Sequence, residues 1–211
     1  MPVPIDPAAL WVFLPAALAL NLTPGADMMF CLGQGLRSGP KAGVAASFGI
    51  AIGGFLHTLL AGLGLAALIA AHPVAFDAIR WAGVVYLVWL AIDAWRRPVA
   101  AHSPEVARAA TAWRACRRAV LVNLLNPKVA VFMLAFVPQF VDPARGSTLL
   151  QFLAFGVVFN VGGTVVNCLV GGFAGSIGKA LARSRRLARG LQVATSFMFL
   201  GLAARLAFDR R

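Results

Sequence analysis

The sequence predicts an all-α membrane protein. Six transmembrane helices form two inverted three-helix repeats, with the first and fourth helices broken. Three observations carry this expectation. Of the 211 residues, 60% are hydrophobic and 12% charged, well outside the range of soluble domains. The apolar residues form runs of about 18 to 28, long enough to cross a hydrocarbon core of roughly 30 Å. Two of those runs are interrupted in matching places, by Asn21-Leu22-Thr23-Pro24-Gly25 and by Asn123-Leu124-Leu125-Asn126-Pro127-Lys128.

The chain reads as one transmembrane transport domain, 1–211, with no room for a separate soluble domain. Repeat one covers about 1–95, a basic cytoplasmic loop 96–118, and repeat two about 119–211. The first span runs from about Ala8 to Leu32 and holds the first break. An Arg37-Ser38-Gly39-Pro40-Lys41 turn follows. The second span runs from about Gly43 to Ala70, and His72-Pro73 opens a loop without Lys or Arg. The third runs from about Ile79 to Trp95. The fourth runs from about Ala119 to Val141 and holds the second break. Asp142 to Gly146 is a turn. The fifth runs from about Thr148 to Ala174, Ser176 to Gly190 is a basic linker, and the sixth runs from about Leu191 to Phe208.

The net charge of +12 does not imply nucleic acid. Lys and Arg fall in the gaps between apolar runs, as in cytoplasmic membrane loops facing anionic headgroups. The gaps after spans one, three and five carry Arg37, Lys41, Arg96, Arg97, Arg108, Arg114, Arg117, Arg118, Lys179, Arg183, Arg185, Arg186 and Arg189. The opposite side carries Arg145, Arg210 and Arg211. Thirteen against three places both termini on the non-cytoplasmic side of a multi-pass protein. Met1 to Ala9 has no basic residue, so a cleaved signal peptide is not expected and the first span is retained. Arg80 and Arg205 lie near the outer span ends, where they can snorkel.

An odd number of spans per repeat inverts the second repeat relative to the first. Each repeat also carries Phe-Gly followed by Gly-Gly in its second span: Phe48-Gly49 with Gly53-Gly54, and Phe155-Gly156 with Gly162-Gly163. Inverted repeats with broken helices place a substrate site near the bilayer midplane. The glycine stripes also suit close helix packing.

Chemistry at depth centres on Asp27 and Lys128. A carboxylate inside a span costs several kcal/mol unless paired, solvated or protonated, and is a functional candidate by default. Lys128 lies about nine residues into span four, roughly 13 Å at 1.5 Å per residue, too deep to snorkel unaided. The repeat sets the two at nearly equal depth, as a pair or around a substrate. The plainer alternative is a structural ion pair between helices.

Pro24 and Pro127 release carbonyls one turn upstream, and each restarted helix presents N–H groups and a positive dipole end. Asn21, Thr23, Asn123 and Asn126 add neutral donors and acceptors. Together with Gly25 these parts match a zwitterion: dipole and Lys128 for its carboxylate, Asp27 and carbonyls for its ammonium. His57, Asn160 and Asn167 are secondary candidates. His57 could relay protons or simply pack with a hydrogen bond. Asn160 could line the path or bond across helices.

Other chemistry is not suggested. Cys31, Cys116 and Cys168 are an odd set in or beside apolar runs and form no disulfide framework. No phosphate loop and no Cys/His cluster at zinc spacing occurs, so neither an enzyme, a metal centre nor a cofactor is expected.

The chain resembles the lysine exporter / homoserine-threonine efflux family of bacterial amino-acid exporters. Pro24-Gly25-Ala26-Asp27 resembles the family's Pro-Gly-Pro-Asp/Asn element, with Ala26 in place of its second proline. Gly83 with Tyr86-Leu87 resembles its Gly-x-x-Tyr-Leu pattern. Asn126-Pro127-Lys128, followed by Phe132 and Pro138-Gln139-Phe140, resembles its Asn-Pro-Lys element. Gly201 with Arg205-Leu206 resembles its C-terminal span. The resemblance implies an inner-membrane antiporter that exports amino acids or close derivatives by alternating access. Its partners would be the amino acid, protons and the lipid bilayer, with homo-oligomerisation left open. It places Pro24, Gly25, Asp27, Asn126, Pro127 and Lys128 near the functional centre.

Three other functions compete. A metal-cation exporter of similar architecture would avoid a lysine at the site. A membrane thiol–disulfide electron carrier needs a cysteine pair in facing spans. A structural subunit gives no reason for Asp27 and Lys128 at depth.

Overall fold

A computed structural model describes residues 5–71, 73–96, 111–177 and 184–208. Every regular element among them is helical. Asp6 starts α1 (Pro7–Leu22): its carboxylate accepts from the Ala8 N–H, and Pro7 needs no donor at the first position. The first break separates α1 from α2 (Ala26–Ser38) at a bend of 47°. Gly39, at φ 84°, turns the chain into α3 (Pro40–Ala71). Next is α4 (Pro73–Arg96). The second half opens with α5 (Ala112–Leu124), capped by the Thr111 hydroxyl. The second break bends the chain by 51° into α6 (Pro127–Val131). A π-helical turn (Phe132–Phe136) and a 3-10 turn (Val137–Phe140) continue this path. Pro138 has no N–H to keep the α pattern running there. Ser147 caps α7 (Thr148–Gly172), and α8 (Arg185–Phe208) completes the chain.

The helices exceed the apolar runs at several ends. The fourth span begins at Ala112 rather than Ala119, and the sixth at Arg185 rather than Leu191. Both extensions are basic and polar turns, which hydropathy alone does not register. Residues 97–110, with most of the basic loop, His72, and residues 178–183 of the basic linker lie outside the described residues. By length and composition, Pro40–Gly64 and Thr148–Gly172 can each cross a membrane, and the two bent pairs raise the number of candidate spans to four.

The α3 helix packs along α5 and α7, while α4 packs along α8. The α2 helix leans on α3 and α7, and α1 on α7. Two cores result. One is aromatic: Phe13, Phe132, Phe136, Phe140, Phe155 and Phe159 meet with ring centroids 4.6 to 6.0 Å apart. The other is built of small residues, Cys31, Ala42, Ala46, Ala115 and Ala119, with Ile50. Beside it the backbones nearly touch, since a Cβ on Gly43 would lie 2.3 Å from the Gly171 oxygen. Close approach of this kind needs glycine on both helices. Trp11, Leu60, Val85 and Phe173 are among many large apolar side chains on the outside. An apolar exterior suits lipid rather than water.

Candidate functional site

The two breaks lie against each other. Pro24 lacks the N–H that would bond the Leu20 carbonyl, four residues back. Lys128, from the other break, supplies the donor. Its Nζ lies 3.2 Å from the Leu20 oxygen and 3.2 Å from the Thr23 oxygen. Pro127 likewise removes the helical donor to the Asn123 carbonyl, which accepts from the Asn126 N–H at 2.8 Å and also lies 3.1 Å from His57 Nε2. Each carbonyl freed by a proline is therefore met by a side chain from the opposite half.

The electrostatics follow helix polarity. The ammonium of Lys128 sits at the C-terminal end of α1, where the helix dipole is negative. Asp27 sits in the first turn of α2, where it is positive. Asp27 Oδ2 accepts a 2.8 Å hydrogen bond from Asn123 Nδ2. Lys128 and His57 both lie within electrostatic reach of this carboxylate. Lys128 does not close on it, because its ammonium points into the first break. Gly25 makes that position accessible: a Cβ there would lie 3.1 Å from Lys128 Nζ.

Several polar atoms remain uncommitted. Asp27 Oδ1, Asn123 Oδ1 and Asn126 Nδ2 are buried and make no hydrogen bond of normal geometry. Gly25, at the start of α2, offers no side-chain cap to the N–H groups of that first turn. A buried unsatisfied group costs about 1 to 3 kcal/mol, so such a cluster suits a polar ligand.

A cavity of about 30 Å³ joins these parts. Asn21, Thr23, Asp27, Asn123, Lys128 and Asn160 line it. At that size it has room for about one or two waters, not an amino acid. Asn21 donates from Nδ2 to the Phe159 carbonyl at 3.0 Å, and Thr23 from its hydroxyl to the Ala19 carbonyl at 2.8 Å. Asn160 donates to the Ala51 carbonyl at 2.9 Å, so the amide also ties α7 to α3.

Five expected residues stand back from the cavity wall. Pro24 and Gly25 shape the first break. Pro127 is exposed at the start of α6, and the Asn126 side chain caps that helix by accepting from the Lys128 N–H. His57 is engaged with the Asn123 carbonyl rather than facing the cavity.

The wall also contains Met28, Ile50, Gly54, Val129, Phe159, Gly163 and Asn167. Gly54 and Gly163 belong to the paired Gly-Gly elements. A Cβ on Gly163 would lie 2.9 Å from Asn21 Oδ1, and one on Gly53 would lie 2.7 Å from Asn123 Oδ1. The Gly-Gly pair of each half thus receives the break asparagine of the other half. The apolar wall residues carry no sequence signal beyond ordinary core.

Cys31, Cys116 and Cys168 are free thiols on α2, α5 and α7. Among the described residues no three His, Cys, Asp or Glu side chains converge as a metal site would need.

With this geometry in hand, comparison with known proteins is decisive. The family model for LysE type translocators matches residues 18–210. The chain belongs to the LysE type translocator family. It is 35% identical over 147 residues to a homoserine/homoserine lactone efflux protein of Salmonella typhimurium, covering 70% of this chain and 71% of that one. It is 30% identical over 200 residues to a leucine efflux protein of Enterobacter sp. strain 638, covering 93% and 94%. It is 40% identical over 149 residues to an uncharacterized membrane protein of Vibrio cholerae, covering 69% and 70%. No solved structure matches the chain. The translocator is thus a membrane protein of a transport family, with both breaks and all of the cavity wall inside the matched range.

Proposed function

We propose that this translocator exports amino acids or close derivatives from the cytoplasm across the bacterial inner membrane, in exchange for protons. Two inverted three-helix repeats, α1 to α4 and α5 to α8, alternate access to one midplane site, with both termini on the non-cytoplasmic side. The observation that carries this reading is the crossed pairing of the breaks: Lys128 on the Leu20 carbonyl and His57 on the Asn123 carbonyl. The two carbonyls, each four residues before a break proline, occupy equivalent places in the two repeats, although Lys128 comes from a broken helix and His57 from α3. The α3–α7 and α4–α8 pairs also map onto themselves. The names of two relatives, homoserine/homoserine lactone efflux protein and leucine efflux protein, support an amino-acid cargo.

The chemistry divides between the breaks. The substrate ammonium takes the open acceptors Asp27 Oδ1 and Asn123 Oδ1. The substrate carboxylate takes the uncapped N–H groups at the start of α2, beside Lys128. Asp27 holds either the ammonium or a proton, never both. Release of substrate outside lets Asp27 take a proton, and release of that proton inside readies it for the next substrate. The cavity is too small for an amino acid, so loading requires the helices of the two repeats to part.

Purified translocator in vesicles loaded with a panel of amino acids tests this reading. Efflux of at least one amino acid should accelerate when a pH gradient directs protons inward against it. No gradient-sensitive efflux of any amino acid overturns it.

A further inference from the structure

The half-helix before each break buries a single stripe. On α1, Phe13, Ala17 and Leu20 are buried at helical spacing, while Trp11, Leu14, Leu18 and Leu22 are exposed. On α5 the buried residues are Ala115, Ala119 and Asn123. Ala115 stands 102 positions after Phe13, and Ala119 stands 102 after Ala17. The two half-helices therefore present equivalent positions of unequal bulk. The α5 stripe packs into the core of small residues, and the α1 stripe packs into the aromatic one.

Phe13 fills a socket built entirely by the second half. Its ring centroid lies 4.9 Å from that of Phe155, 5.2 Å from Phe140 and 6.0 Å from Phe132. Phe132 in turn meets Phe159 at 4.6 Å, and Phe159 lines the cavity. Two residues beyond Phe140, the surface is reached. There Arg145 pairs with Asp6, the cap of α1, at 3.2 Å, and with Asp142 at 3.4 Å. An exposed ion pair adds little to closure, so the layer of rings is the seal between the cavity and this surface. Only Pro24 and an extended Gly25 join α1 to α2, at a bend of 47°. A short extended break of this kind can absorb a hinge rotation.

We propose that α1 is the gate on the N-terminal side of the translocator, and that Phe13 is its plug. The cavity opens to that side when α1 tilts about the first break and withdraws the ring from its socket. By the same equivalence α5, with alanine where α1 has phenylalanine, gates the opposite side. The proposal rests on the alternating-access reading above and names the element that moves.

Cysteine accessibility tests this without depending on transport. Val129, on the cavity wall, is replaced by Cys in a protein whose Cys31, Cys116 and Cys168 are changed to Ala. A charged, membrane-impermeant thiol reagent is applied to each side of oriented vesicles, and labelling is timed. Size-exclusion profiles check that each variant is folded. Adding Phe13→Ala should speed labelling from the N-terminal side at least about 10-fold, since loss of a buried ring destabilises the closed state. Labelling from the opposite side should not speed up. Phe13→Leu should speed labelling from the N-terminal side a few-fold. Trp11→Ala, on the exposed face of the same helix, should label like the parent. Unchanged labelling of Phe13→Ala, equal acceleration from both sides, or acceleration by Trp11→Ala as large as by Phe13→Ala overturns the proposal. If Phe13→Ala fails to fold, Phe13→Leu decides by the same criterion. Amino-acid efflux is recorded on wild-type vesicles in parallel. Absence of efflux there, with the labelling pattern as expected, removes the export reading and leaves the gate standing.

Discussion

Lys128 donates to the carbonyl of Leu20, 108 positions away in sequence, and so closes the gap that Pro24 opens in α1. The contact joins the two breaks directly. It also gives a buried cation what it needs, two carbonyl oxygens at a helix C-terminus. Replacing Lys128 by Met should leave the Thr23 carbonyl without its donor, while the Leu20 carbonyl keeps the Thr23 N–H at 3.2 Å. The expected cost is about 1 to 3 kcal/mol of stability per orphaned group. Thermal unfolding in detergent, followed by intrinsic tryptophan fluorescence, checks this. A variant that unfolds at the wild-type temperature would show the contact to be incidental.

Gly25 keeps the Lys128 ammonium close to the first break. A Cβ there would crowd Lys128 Nζ at 3.1 Å and Cε at 3.5 Å. The crowded atoms are the end of a flexible side chain, so Gly25→Ala should fold normally and lower efflux only a few-fold. Gly25→Val adds a branched side chain and should lower it by about 10-fold or more, a cost of roughly 1.4 kcal/mol or above. Initial efflux rates for the two variants provide the comparison. Equal rates for alanine and valine would remove the steric account.

The Asn123 amide holds Asp27 Oδ2 at 2.8 Å. Asn123→Ala removes this donor and should reduce transport by about 10- to 100-fold, since hydrogen bonds to charged groups contribute about 1.5 to 3 kcal/mol. Asn123→Asp should be worse, because it sets a second carboxylate against Asp27. Apparent affinity for substrate, measured by competition, ranks the three proteins. Asn123→Asp outperforming Asn123→Ala would contradict the assigned donor role.

Gly43 and Gly171 bring α3 and α7 into backbone contact. Gly171→Ala places a methyl within 2.6 Å of the Gly43 carbonyl group, where backbone and not a flexible side chain must move. Overpacking of this kind costs about 1 to 3 kcal/mol. The melting temperature in detergent should fall, whereas Gly175→Ala, with open space around its Cβ, should leave it unchanged.

Much of this site was legible because lipid is a harsh solvent. Pro24 and Pro127 mark places where carbonyls lose their partners, and a bilayer offers no replacement donor. Asp27 and Lys128 stand out for the same reason. The identity of each partner was not legible. That Lys128 would serve the Leu20 carbonyl, and His57 the Asn123 carbonyl, depends on packing between residues far apart in sequence. His57 could be read as a proton relay or as a packed, hydrogen-bonded side chain, and the structure sets it against a backbone oxygen. Asn126 was expected as a neutral donor and acceptor at the break, and its side chain caps α6 and lies within reach of Asp27. The helix ends were misplaced at Ala112 and Arg185 because amphipathic and basic turns give weak hydropathy.

The account stands on Asp27 and Lys128 acting as one site. Exchange of radiolabelled amino acid across vesicle membranes, for wild type, Asp27→Asn, Lys128→Met and the double variant, tests that most directly. Each single change should reduce exchange by about 100-fold or more, as expected when one member of a buried charged set is removed. The double variant should be no slower than the slower single, because coupled residues do not lose their effect twice. Near-normal exchange by either single variant, or a double variant whose loss is the product of the two, would contradict the account.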